Sequence, residues 1–445
     1  MTGEKRTNLE SQITRREFLQ FATISAACLA AGCAVNPVTG ESQFILISED
    51  TEINIDKENS PYQFSADYGM IQDTLLNDYL DKTGKEMASR THRPNMPYSF
   101  QGVNATYVNA YAFPGGTIAA TRGILLSLEN EAELAALFGH ELGHVNARHT
   151  AQIMSKSMLT QAVVGGIAVY AGTKDPAYSR VASTLGMIGA GALLASYSRD
   201  NEREADALGL EYMTRSGYNP DGFSGLMDML RSMSKQKPNA IELMFSTHPM
   251  SDERYNTALK RIQTKYQSDK KNPLYKERYM DHTVQLRKIK VAIESMQKGE
   301  KEMAASNYHS AEDHFKNALS VAPNDYAGLL MMSQCQMLME NYAQAERFAV
   351  TAGQVFPEEA GSWYLNGLSK MKQKKYDTAC DQFEKYEKTL PGNPNTTFYK
   401  GYCLEQMERT KNAAQEYQKY LNAVNQGEKA NYANGRLIEW GYIKQ

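Results

Sequence analysis

The sequence predicts a mainly α-helical protein with a small β-sheet, built as a globular domain followed by an α-helical solenoid. Three observations carry that prediction. Apolar residues at helical spacing run through Leu134, Leu137, Phe138, Leu142 and Val145. Upstream, Gly and Pro separate short strand-like stretches between Tyr98 and Thr121. Downstream, like residues recur every 34 positions: Tyr308, Tyr342 and Tyr376, then Ala311, Ala345, Ala379 and Ala413, then Pro323, Pro357 and Pro391. With 445 residues the chain exceeds one common core, so two domains are the starting expectation. Its 42% hydrophobic and 22% charged residues are ordinary globular composition, and a net charge of -3 gives no reason to invoke nucleic acid as a partner.

In chain order, residues 1–33 read as a targeting segment outside the fold. Thr14-Arg15-Arg16-Glu17-Phe18-Leu19 has the twin-arginine export pattern, and the uncharged run to Gly32 is too short to span a bilayer. That run ends in Leu29-Ala30-Ala31-Gly32-Cys33, which resembles a bacterial lipobox although Ala30 stands where Leu is usual. Lipidation of Cys33 would hold the mature chain on a membrane, and Ala34 in place of Asp fits outer-membrane retention. The remaining cysteines, Cys335, Cys380 and Cys403, are an odd set, read as buried reduced thiols.

Residues 34–265 form the first domain. Asn36 to Gly40 reads as a turn, Gln43 to Ile47 as a strand and Gly69 to Ser89 as helical. Tyr98 to Val103, Ala105 to Ala110 and Thr117 to Thr121 read as strands. Within Asn109-Ala110-Tyr111-Ala112-Phe113-Pro114-Gly115-Gly116 the chain offers either an edge for strand addition by a peptide or an ordinary strand and turn. A helix then starts at Asn130, with Glu131 and Glu133 giving a capping-box pair. The apolar stretches Met158 to Thr173 and Val181 to Tyr197 read as buried helices rather than membrane spans.

The helix from Asn130 carries His140-Glu141-Leu142-Gly143-His144, an HExxH motif. His140 and His144 fall one turn apart on one face, as two imidazoles must to hold one metal ion, with Glu141 one step round as a general base. Such a site needs a third protein ligand and an open position. Ser198 opens a later helix in which Glu202 and Asp206 are four apart on one face, so one carboxylate can bind the metal while the other hydrogen-bonds a ligand; joined to the HExxH, Glu202 is read as the third ligand.

Together, HELGH, the SRxxExxxD helix, NAYAFPGG and Ser246-Thr247-His248-Pro249 resemble the CAAX-prenyl-protease-type zinc peptidases, in their periplasmic lipoprotein branch with C-terminal tetratricopeptide repeats. The resemblance runs from Cys33 to the repeats. It implies a gluzincin-type zinc peptidase domain with one Zn2+ on His140, His144 and Glu202, catalysis by Glu141 and support from Asp206. His149 lies nine residues after His140, where metzincins need ten, and is read as structural. His248, held extended by Pro249, is a candidate regulatory or oxyanion residue.

From about Tyr266 the chain turns polar, and residues 266–291 read as a connecting helix. Residues 292–427 then hold four tetratricopeptide repeats, with Gly299, Gly367 and Gly401 in register and Ser333 in the gap. Residues 428–445 cap them. The concave repeat surface is expected to bind peptide or protein. The expected function is a periplasmic, lipid-anchored zinc endopeptidase acting on misfolded or stalled envelope proteins, with outer-membrane proteins or their assembly machinery as partners; the alternative is a repeat-domain chaperone or scaffold with a latent zinc site. A chain cut at about residue 285 is expected to keep a folded zinc domain.

Overall fold

In the computed structural model of the protein, residues 33–164, 197–236 and 238–444 are described. Residues 1–32 lie outside them, as do the two apolar stretches apart from Met158–Val164, the end of a helix, and Tyr197. Among the described residues, no helix is long and apolar enough to cross a membrane.

A two-stranded antiparallel ribbon comes first, β1 (Cys33–Val35) with β2 (Ser42–Phe44). Asn36 makes its turn by accepting from the amides of Val38 and Thr39. The strand expected over Gln43 to Ile47 stops at Phe44, because Ile45 and Ile47 enter an apolar cluster with Ala151. Next is α1 (Glu49–Ala66), a helix with no apolar stripe and with Pro61 inside it, which the periodicity does not reveal. It forms because the Ser48 hydroxyl caps it and because Glu52 and Asp56 find buried polar partners in Arg93, Arg148 and the Thr117 amide.

Asp73 caps α2 (Thr74–Ala88), which buries Leu76, Leu80 and Met87. The sheet is β3 (Ser99–Val103), β4 (Ala110–Ala112) and β5 (Thr117–Thr121) in the order β3-β5-β4, with β3 parallel and β4 antiparallel to β5. The strand expected over Ala105 to Ala110 does not form, since only Ala110 joins the sheet. Side chains occupy the backbone there instead: Gln297 donates to the Thr106 carbonyl and Thr121 to that of Tyr107.

After α3 (Arg122–Ser127), α4 (Glu131–Asn146) is buried on every side. It is followed by α5 (His149–Val164), α6 (Arg199–Arg215), α7 (Asp221–Gln236), α8 (Pro238–Thr247) and α9 (Asp252–Thr264). Glycines let α4 and α6 touch backbone to backbone. A Cβ on Gly143 would meet the Ala205 backbone at 2.9 Å, and one on Gly139 the Gly209 carbonyl at 2.8 Å.

A 3-10 turn (Gln267–Lys271), α10 (Lys276–His282) and α11 (Val284–Lys288) lie against this domain, with the buried Tyr279 donating to the Leu125 carbonyl at 2.6 Å. The solenoid is four helix pairs: α12 (Lys290–Ala304) with α13 (Tyr308–Val321), α14 (Tyr326–Leu338) with α15 (Tyr342–Val355), α16 (Gly361–Lys372) with α17 (Tyr376–Thr389), and α18 (Pro394–Gln406) with α19 (Thr410–Ala423). Last is α20 (Glu428–Glu439). The repeated glycines are explained by aromatic rings: a Cβ on Gly299, Gly367 or Gly401 would strike Phe315, Phe383 or Tyr417 within 2.7 Å. Cys335, Cys380 and Cys403 are buried and free.

The early repeats fold back onto the first domain. Arg122 Nη1 meets Asp325 Oδ2 at 2.6 Å with both side chains buried, Glu300 bonds the Thr106 hydroxyl, and Glu359 bonds the hydroxyls of Ser65 and Tyr326. Within the solenoid, α14 is buried from Tyr326 to Met337 between its neighbouring repeat helices, with Ser333 donating to the Ala345 carbonyl and the Gln336 side chain to Glu312.

Candidate metal centre

The Asn130 side chain starts α4 by accepting from the Glu133 amide, and the Glu133 carboxylate answers by accepting from the Glu129 amide and the Asn130 side chain. Ten residues after Asn130, one helical turn sets His140 and His144 side by side, with Nε2 atoms 3.1 Å apart. Ser198 and Asn201 cap each other at the start of α6 and aim Glu202 at the same point from across the Gly143 contact. Glu202 lies 3.3 Å from His144 Nε2 and 3.6 Å from His140 Nε2. From the end of α8, His248 adds Nδ1 at 3.3 Å from His140 Nε2 and 3.0 Å from Glu202 Oε1.

These four buried donors could hold a metal ion. Four ligands about 2.0–2.2 Å from a tetrahedral zinc stand about 3.3–3.5 Å from one another, and these separations bracket that value. Two imidazoles and a carboxylate also suit zinc by donor type. The charge states of His144 and Glu202 suit ligation, whereas His248, which burial alone would push down, is raised by the carboxylates of Glu202 and Glu141 and holds its proton more firmly. Burial drives the pKa of His144 well down, leaving the neutral imidazole that ligation needs. Burial pushes Glu202 up, but His248 and His140 outweigh it and hold the carboxylate ionised. Beside them Glu141 is fully buried, its pKa raised by that burial, and neither of its oxygens has a hydrogen-bond partner among the described residues. Its Oε1 lies 3.8 Å from His248 Nε2.

Behind the donors stands a second layer. Asp206 Oδ1 is 3.0 Å from His140 Nδ1. Arg254, from the first turn of α9, grips Asp206 through Nε and Nη2, each at 2.7 Å. Its Nη1 reaches Glu202 Oε2 at 2.6 Å and the Pro249 carbonyl at 2.9 Å. Tyr197 stacks on the His144 ring with centroids 3.7 Å apart, and its amide donates to the Thr247 carbonyl. His149 Nδ1 sits 2.9 Å from His144 Nδ1.

The structure therefore brings His140, Glu141, His144, Glu202, Asp206 and His248 together, while Cys33 stands in β1 and takes no part. Sequence reasoning missed Arg254 and Tyr197. The available signal for Arg254 was a demand: two carboxylates four apart and facing inward need a cation, and Arg254 follows a Ser251 helix cap just past His248.

Residues 74–262 match the profile of peptidase family M48, and residues 302–364 match a tetratricopeptide-repeat profile. The chain is 29% identical over 204 residues to the beta-barrel assembly-enhancing protease of Yersinia pestis, covering 45% of this chain and 41% of that protein. It is 27% identical over 195 residues to the protein of the same name from Escherichia coli K12, covering 43% and 40%. To the metalloprotease YcaL of Escherichia coli K12 it is 32% identical over 158 residues, covering 36% and 59%. The matches thus span about half the length of these curated relatives.

Proposed function

We propose that this chain, which carries a peptidase family M48 domain followed by tetratricopeptide repeats, is a zinc-dependent endopeptidase of the periplasm and outer membrane. It cleaves misfolded or stalled envelope proteins, and the repeats recruit the client or an outer-membrane assembly complex. The observation that carries the reading is the buried Glu141, with two unpartnered oxygens beside the donors of His140, His144 and Glu202. The names of the relatives support the client class. The Leu29-to-Cys33 lipobox and the twin-arginine pattern support export and a lipid anchor on Cys33; loss of Cys33 (C33A) would release the chain from the membrane fraction.

Zinc bound there would supply Lewis acidity to the scissile carbonyl and lower the pKa of the attacking water. Glu141 takes the proton from that water as it attacks and returns it to the leaving amine. Burial raises its pKa above the ordinary carboxylate value, in the direction that strengthens it as a base. Asp206 holds the Nδ1 proton of His140, so that the other nitrogen faces the cluster. An extended client pairs with β4, the sheet edge just upstream of the motif.

His248 favours a resting state that is shut. Its Nδ1 takes the fourth corner of the donor set, and four protein donors make the closed pattern of a structural site. Movement of Thr247–Pro249 opens that corner for water and carbonyl.

The test is cleavage of an unfolded β-barrel protein by the purified chain with and without chelator. Glu141→Gln should retain about one zinc per chain and lose cleavage, since the base goes and no ligand is touched. Wild-type turnover by this variant overturns the assignment. A chain that holds zinc yet cuts nothing, even with His248 replaced by alanine, supports the scaffold reading instead.

A further inference from the structure

We infer that His149 and Glu204 form a proton-positioning relay that orients the zinc ligand His144, separately from the Asp206–Arg254 support of His140. The inference rests on the zinc reading above. His144 Nε2 points into the donor cluster, 3.1 Å from His140 Nε2 and 3.3 Å from Glu202 Oε1. For that nitrogen to offer a lone pair, the ring proton must sit on Nδ1. His144 Nδ1 faces His149 Nδ1 at 2.9 Å, so the second nitrogen is the acceptor and is bare. The proton of His149 then lies on Nε2, which faces Glu204 Oε2 at 3.2 Å. One carboxylate thereby sets each proton along the line, and Glu204 Oε1 has no other partner.

The fold holds this line in place. His149 is fully buried, and its position follows from Arg148, which turns the chain between α4 and α5 with a φ of 58°. That turn is pinned from outside the site: Arg148 Nε bonds both Glu52 oxygens at 3.2 Å, and Nη2 donates to the Ile47 carbonyl at 2.7 Å. Tyr197 closes the face of His144 while His149 holds its edge. A histidine kept only for packing would need neither the 2.9 Å nitrogen contact nor a carboxylate at its far side. His149 is thus a positioning residue, and it touches no substrate.

The test uses the full chain and two isosteric replacements. His149→Asn keeps an acceptor oxygen close to the place of Nδ1, and His149→Leu removes it. The readouts are zinc affinity by chelator competition and the visible spectrum of the cobalt-substituted protein. We expect His149→Leu to lose about 10–100-fold in zinc affinity and to shift the cobalt bands, and His149→Asn to recover most of both. Glu204→Ala should shift the bands with a loss smaller than that of His149→Leu. Wild-type affinity in His149→Leu, or equal losses in the Leu and Asn variants, overturns the relay and leaves the zinc reading standing. Absence of stoichiometric zinc from the wild-type chain overturns both.

Discussion

The guanidinium of Arg254 spans the two carboxylates behind the metal cluster and also holds the carbonyl of Pro249, next to His248. One side chain therefore links a candidate ligand, the carboxylate behind another candidate ligand, and the candidate plug. Arg254→Met should destabilise the metal-free protein by about 3–5 kcal/mol, because it leaves buried carboxylates without their counter-charge. It should weaken zinc binding as well, and Arg254→Lys should recover little, since a lysine cannot reproduce the fork. Denaturant unfolding with chelator, beside a zinc titration, checks this, and a stability equal to wild type removes the role. For His248 the two candidate roles forecast opposite outcomes. As a plug, its replacement by alanine raises basal cleavage of an unfolded protein; as an oxyanion donor, it lowers cleavage by about a hundredfold. The position of Nδ1 in the donor set leads us to expect the rise. His140, Glu141, His144 and Glu202 were legible because helical spacing alone places each on a face. Arg254, Tyr197 and the contact of His149 with Glu204 were not, since each acts across a separation that no local pattern records.

Among the elements, the contact of α4 with α6 makes the centre, as it carries two donors on one helix and the third on the other. Gly143 sets how near they come. Gly143→Ala should push the helices apart, cost about 1–3 kcal/mol in unfolding free energy and weaken zinc binding by moving Glu202 off the histidine pair. Unchanged zinc affinity would mean that α6 relaxes without moving its carboxylate. The long helices α2, α4 and α6 were legible from cap residues and apolar spacing. α1 was not, for its stability comes from buried polar partners in place of an apolar stripe. The missing strand over Ala105 to Ala110 has the complementary cause: alternation suggests a ladder, but Thr121 and Gln297 claim the carbonyls first.

At the scale of the whole molecule, the solenoid closes over the first domain. Arg122 is buried and ion-paired to Asp325, more than 200 residues on, while Glu300 and Glu359 tie the same side to Thr106 and Ser65. Removing the chain after residue 285 should therefore strand a buried charge and lower the melting temperature of the remaining domain, by about 10 °C for a loss of about 3–5 kcal/mol. Thermal unfolding of the two chains measures this, and equal transitions would restore the separable domain that composition suggests. By itself the sequence determined the helical class, the 34-residue repeat and the spacing of the candidate donors on the HExxH and ExxxD helices, because helical period and repeat period are local properties that one stretch of chain can show. Only the tertiary structure decided which arginine neutralises the buried acids, where His248 points and whether the two halves touch. Those outcomes depend on the desolvation of paired charges, and a charge finds its partner by position in space.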